Sequence, residues 1–204
     1  MWNTQHLHQY QHAKKMTRRA QQAEQDLLAD LAQYCSHALT LQTTLETHNV
    51  SPAQMEQYLD RARQSLHQLR MRSNRALTGN GWRRNPRYLP TFIPVIEGTV
   101  NTYDRNKTLH LHIAVGNIPA GYTDKELLNA YRGCWLQTEC AADDVVLVPM
   151  WLKQEAGWFS YSKKEERQGR IDCVDLHNSQ IPKHVLEKLK PHRQHQAIFR
   201  QPPQ

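Results

Sequence analysis

Two histidines two residues apart stand out in Thr108-Leu109-His110-Leu111-His112-Ile113-Ala114-Val115-Gly116. In a strand, successive side chains alternate faces. Leu109, Leu111, Ile113 and Val115 would then point into a core, and His110 and His112 would emerge together on the other side. Two imidazoles so placed can converge on one divalent ion. Upstream, Ile93, Val95 and Glu97 share a face of a second strand-like stretch, and Glu97 is the first acid after Arg61–Ile96, which holds none. A carboxylate on a paired strand would complete a His-His-carboxylate set with positions left open for ligand oxygens. Downstream, Tyr161 and Lys164 in Trp158-Phe159-Ser160-Tyr161-Ser162-Lys163-Lys164 are one turn apart if the segment is helical. A phenol, with an ordinary pKa near ~10, is a poor nucleophile until a cation favours its anion or polarises the phosphate it attacks. Lys164 meets that need. Each piece alone has a plain alternative: surface histidines, a strand-end charge in solvent, a half-buried helical tyrosine.

The elements that would position these residues follow from the apolar period. Leu27, Leu28, Leu31, Tyr34, Cys35, Ala38, Leu41 and Leu45 recur at spacings of three and four, the stripe of a buried helix face. Thr47–Val50 breaks the pattern. Ser51-Pro52-Ala53-Gln54 restarts it with a cap, a proline at the first helical position and a glutamine three residues after the cap. The second stripe runs through Leu69 and stops at Gly79-Asn80-Gly81, so the expectation is an N-terminal α-helical hairpin over residues 1–80. The period then changes. Phe92–Gly98 and Lys107–Val115 alternate around a turn at Asn101–Asn106. Thr123-Asp124-Lys125-Glu126 opens a helix through Trp135. Asp144–Met150 reads as a short buried strand, Gly157–Gly169 as a helix, and Ile171–Leu176 as a strand. The expected class is α+β: an antiparallel sheet with helices on one face over residues 81–190. A His-, Gln- and Pro-rich tail at 191–204 is expected to be poorly ordered.

Charge sharpens the picture. The 204 residues carry 26 Lys+Arg against 19 Asp+Glu, a net of +7. The excess lies in residues 1–87 and 161–204, and the centre is slightly acidic. The acid-free run holds eight arginines: Arg61, Arg63, Arg70, Arg72, Arg75, Arg83, Arg84 and Arg87. A solvated helix face is the plain explanation, although such faces normally interleave Glu with Lys. An arginine run beside Trp82 and Tyr88 fits a phosphate-binding surface better, because Arg forks onto phosphate and stacks on bases. No apolar run approaches the ~20 residues of a membrane span, and the first residues lack the apolar stretch of a signal peptide. The four cysteines form no C-x-x-C pair, which disfavours a zinc ribbon. A cytoplasmic protein with reduced thiols is expected. No phosphate-binding glycine loop of the G-x-x-x-x-G-K-[ST] or G-x-G-x-x-G kind is present.

The succession FIPVIEG, LHLHIAVG and YSKK resembles the HUH endonuclease superfamily, in particular the single-tyrosine initiators of rolling-circle replication. The resemblance covers roughly residues 88–177 and rests on the order of the three motifs. It implies a ferredoxin/RRM-like sheet, and a Mg²⁺ or Mn²⁺ ion held by Glu97, His110 and His112. It further implies Tyr161 as the nucleophile that forms a 5′-phosphotyrosine, with Lys164 beside it. DNA would be tracked by Arg70, Arg72, Arg75, Arg83, Arg84, Arg87 and Lys163, with Trp82 stacking an unpaired base. The implied partner is single-stranded or hairpin DNA at a plasmid or phage origin, inside a bacterial or infected host cell. With no helicase domain following, a host helicase would supply unwinding. The tyrosine follows the histidines, unlike conjugative relaxases. Single-tyrosine transposases share that order but lack so long an N-terminal helical region, which the family does not otherwise account for. Two further classes compete: a non-catalytic basic nucleic-acid-binding protein, and a two-histidine phosphodiesterase. The latter needs two separate His-x-Thr/Ser motifs, which the chain lacks.

Overall fold

The computed structural model describes residue 19 and residues 22–24, 26–99, 107–150 and 173–189, together with the backbone but not the side chain of Trp82. Strand β1 is His37–Glu46, helix α1 Pro52–Thr78, strand β2 Thr91–Glu97, strand β3 Thr108–Gly116, helix α2 Asp124–Trp135 and strand β4 Ala141–Pro149. A short helix α3, Lys183–Lys188, follows. The strands form one antiparallel sheet in the order β2-β3-β1-β4. The protein is α+β, and its β-α-β-β-α-β succession is that of the split βαβ motif.

Strand β1 corrects the expected helical hairpin. Helix occupies 26–32, but 37–46 is a central strand between β3 and β4. Leu41 and Leu45, four residues apart, fit a helical stripe and an alternating strand equally well, since four is a multiple of two. The decision falls to Thr40, Thr43 and Thr44, whose branched Cβ atoms suit a pleated sheet. Leu39, Leu41, Thr43 and Leu45 are buried on one side of it. A boundary at residue 80 would therefore cut through the sheet, so residues 1–80 are not a separate helical unit.

Helix α1 does begin and end where its signals lie. The Ser51 hydroxyl accepts from Gln54 N, Pro52 stands at the first position, and Gly79 caps the end with φ 59°. Helix α2 opens on a complete capping box between Thr123 and Glu126. Both helices lie on one side of the sheet, where Leu66, Leu69, Leu127 and Trp135 pack with Leu39, Leu111 and Ile113. The other side also carries helices, contrary to expectation. Leu28 and Leu31 of the 26–32 helix and Val185 of α3 pack there with Ile93, Val95 and Ala114. Glu97, His110 and His112 belong to this second face.

Two more expectations change. Strand β4 starts at Ala141 and is an edge strand with Val146 and Val148 about half exposed, so it is not buried. Within the described part of Ile171–Leu176 no strand forms. Instead 173–180 runs along the outer edge of β2, where Cys173 O accepts from Ile96 N and Gln180 exchanges two hydrogen bonds with Phe92. The expected turn at Asn101–Asn106, the helix at Gly157–Gly169 and the tail at 191–204 lie outside the described residues.

Candidate metal centre

The alternation of β3 does what its sequence dictates. Leu109, Leu111, Ile113 and Val115 are fully buried on the side covered by α1 and α2, and His110 and His112 emerge on the other. Pairing with β2 sets Glu97 directly across from His110 and Val95 across from His112. Glu97 is the last residue of β2 and is wholly buried. The next residue, Gly98, has φ 100°, and a Cβ there would stand 2.3 Å from Thr108 O. Only glycine lets the chain turn away this close to β3, which holds Glu97 against the start of the histidine strand.

Three atoms converge. Glu97 Oε2 lies 3.0 Å from His110 Nε2 and 3.4 Å from His112 Nε2. The two rings meet edge to face at 88°, centroids 5.1 Å apart. The far nitrogens are held from behind. His110 Nδ1 lies 3.3 Å from Thr108 O, a carbonyl that accepts from this nitrogen when it carries the proton. His112 Nδ1 lies 3.1 Å from the Thr40 hydroxyl, across the β1–β3 pairing. Nε2 of His110, 3.0 Å from Glu97 Oε2, can donate to the buried carboxylate or, with its lone pair turned to that side, share a cation with it.

The spacing fits a cation. Donors each about 2.1 Å from an ion, subtending the 90–109° of octahedral or tetrahedral geometry, lie about 3.0–3.4 Å apart. All three ligand atoms fall within 4.8 Å of one another. The histidine side chains are 21% and 11% exposed and the carboxylate 0%, so the cluster is largely buried, with His110 its most exposed member. The arrangement of a carbonyl and a hydroxyl behind the imidazoles is the kind of outer support that metal-binding histidines use. Glu97, His110 and His112 are thus brought together as a set that can hold a metal ion.

Thr40 was not expected in the site, and neither was Gln42, which pairs with His110 across the sheet and accepts from the Thr108 hydroxyl. Both follow from the strand nature of 37–46: once that segment is extended, Thr40 and Gln42 must share the histidine face.

The arginine run divides. Arg61 is bound to Glu139 and Arg63 to Asp60. Arg72 donates to Gln137 O. Arg70 donates to Asn178 O, and its burial lowers its pKa against the raising effect of Asp175. Arg70 and Arg72 are thus each tied to a backbone carbonyl of the fold. Arg75, Arg83, Arg84 and Arg87 are exposed. Tyr161, Lys163 and Lys164 lie outside the described residues. Tyr131 is no substitute nucleophile: it is fully buried on the side covered by α1 and α2, away from the cluster, and burial pushes its hydroxyl well above the ordinary range. No protein-family model matches the chain, and no curated protein or solved structure does either.

Proposed function

We propose that the chain is a metal-dependent DNA nicking and joining enzyme of the HUH type, acting through Tyr161 to initiate rolling-circle replication. The observation that carries this is the convergence of Glu97 Oε2 with the Nε2 atoms of His110 and His112 at metal-donor spacing. A second observation supports it. Met150, where the chain leaves β4, and Cys173, where it rejoins the edge of β2, both pack on the face that carries the cluster. Tyr161 lies midway between them in sequence. The interval between those edges is three strand spacings, about 14 Å.

In the proposed reaction the Tyr161 oxygen attacks a backbone phosphorus and the P–O3′ bond breaks. The phenolic proton is balanced by the one gained at the departing 3′-oxygen, leaving a 5′-phosphotyrosine and a 3′-OH. No water is consumed, so the bond is conserved and the strand can be rejoined. Lys164 lowers the cost of the phenolate. Mg²⁺ or Mn²⁺ bound by Glu97, His110 and His112 would supply neutralisation of charge developing on the non-bridging oxygens. Thr40 and Thr108 O hold the two imidazoles in the orientation that keeps their Nε2 atoms inward. The proposed partners are origin DNA, single-stranded or hairpin, and a host helicase.

A base-stacking module without chemistry is less well supported. RRM-type sheets stack bases on aromatic residues of an open face, whereas here that face is covered in part by the 26–32 helix and α3, and His112 on it is buried. The test is a cleavage assay with Mn²⁺ on a pool of labelled single-stranded and hairpin DNAs. An SDS-stable protein–DNA adduct is expected for the wild type. It should be absent for Tyr161→Phe and for His110→Ala with His112→Ala. Adducts persisting in Tyr161→Phe would refute the nucleophile. Salt-sensitive binding without any adduct would refute the enzyme.

A further inference from the structure

The topology sorts charge along the strands. Glu97 and the cluster stand at the end formed by the last residues of β1 and β2 and the first of β3 and β4. That end carries the exposed acids Glu46, Glu139, Asp143 and Asp144. Arg61 and Arg132 are there too, each bound to one of them. The opposite end carries the loop between α1 and β2, with Arg83, Arg84 and Arg87 exposed and Tyr88 57% exposed. Of the described acids there, Asp124 reaches His37, Glu126 completes the α2 cap, and Glu187 shares α3 with Lys183 and Lys188.

This loop is built rather than loose. The Asn117 amide donates to both Arg87 O and Leu89 O, at 2.9 and 2.7 Å. Gln180 Nε2 donates to Pro90 O, and the Asn85 side chain accepts from Arg87 N. Three guanidinium groups within five residues thus project from a backbone tied to β3 and to the 173–180 segment. Guanidinium forks suit phosphodiesters, and an exposed tyrosine beside them can stack on a base.

We infer that the Arg83–Tyr88 loop is a second nucleic-acid contact, distinct from the metal cluster, that grips the DNA backbone one strand length from the point of cleavage. The inference rests on the DNA-nicking function proposed above and adds to it a direction. The length of β2 separates the two places by about 20 Å, or roughly six phosphates of one B-form strand.

The test is fluorescence anisotropy of a labelled hairpin DNA with a single-stranded flank, titrated over a range of salt in EDTA. The proteins are the full-length wild type, Arg83→Gln/Arg84→Gln/Arg87→Gln and Arg132→Gln. The triple variant should lose about 2–3 from the slope of log K against log salt and bind about tenfold or more weakly. Its Mn²⁺ affinity should equal that of the wild type, showing that fold and cluster survive. Arg132→Gln should keep the wild-type slope. An unchanged slope in the triple variant would overturn the inference. So would an equal loss in Arg132→Gln, or wild-type protein that binds phosphatidylserine vesicles and not DNA. Because the readout is taken without metal, it does not depend on whether Tyr161 forms an adduct, and the two proposals can fail separately.

Discussion

Replacing Thr40 by Val keeps the branched Cβ that β1 needs and removes the one hydroxyl behind His112. In the wild type that hydroxyl lies 3.1 Å from Nδ1 and aims Nε2 toward Glu97. Losing an outer partner of this kind costs 10–100-fold in metal affinity in typical sites, or about 1.4–2.7 kcal/mol. The fold itself loses a single hydrogen bond worth about 0.5–1.5 kcal/mol, a drop of a few degrees in Tm. Isothermal titration with Mn²⁺ separates these effects from each other. Thr40→Val should bind Mn²⁺ about 10–100-fold more weakly. Thr40→Ser, which keeps the oxygen, should bind within about threefold of the wild type. If Thr40→Val folds and binds Mn²⁺ as the wild type does, the orientation of His112 does not depend on Thr40 and this account of the site's support is wrong.

Two further predictions concern the frame of the site. Gly98→Ala places a Cβ at φ 100° and 2.3 Å from Thr108 O. Backbone strain alone costs about 1–3 kcal/mol, so urea unfolding should show at least that loss, accompanied by weakened Mn²⁺ binding as Glu97 and Thr108 move apart. Tyr131 has a fully buried hydroxyl with no hydrogen-bond partner among the described residues, and its burial raises its pKa. Tyr131→Phe should therefore stabilise the fold by about 1 kcal/mol at neutral pH. The sign at high pH follows from linkage. A raised folded pKa contributes stability that is present below the unfolded value near ~10 and is lost as pH rises beyond it. The advantage of Tyr131→Phe over wild type should then grow by about 1.4 kcal/mol per pH unit above pH ~10, measured by denaturation in parallel buffers. A constant gap would show that Tyr131 ionises freely in the folded protein.

The cluster was legible because strict Leu/His alternation leaves a strand no choice about which side its histidines take, and because Glu97 ends a neighbouring strand-like stretch on the same face. Helices α1 and α2 were legible from their caps, Ser51-Pro52 and Thr123-x-x-Glu126. Strand β1 was not. Its leucines at 41 and 45 satisfy both periods, and the threonines that decide the matter also occur in helices. Thr40 was lost with it, since a helical 37–46 cannot face β3. The arginine run misled for a different reason. Arginines at irregular spacings along a helix do not all share one face, and Arg61 and Arg72 find partners near residue 138 that sequence distance conceals.

The most direct test of the metal centre is the anomalous scattering of crystals grown with Mn²⁺. One peak is predicted, bonded to Glu97 Oε2 and to Nε2 of His110 and His112, and absent from crystals of Glu97→Gln with His110→Ala. Full occupancy by Mn²⁺ elsewhere, with the three side chains still joined only to one another, would contradict the account at its centre.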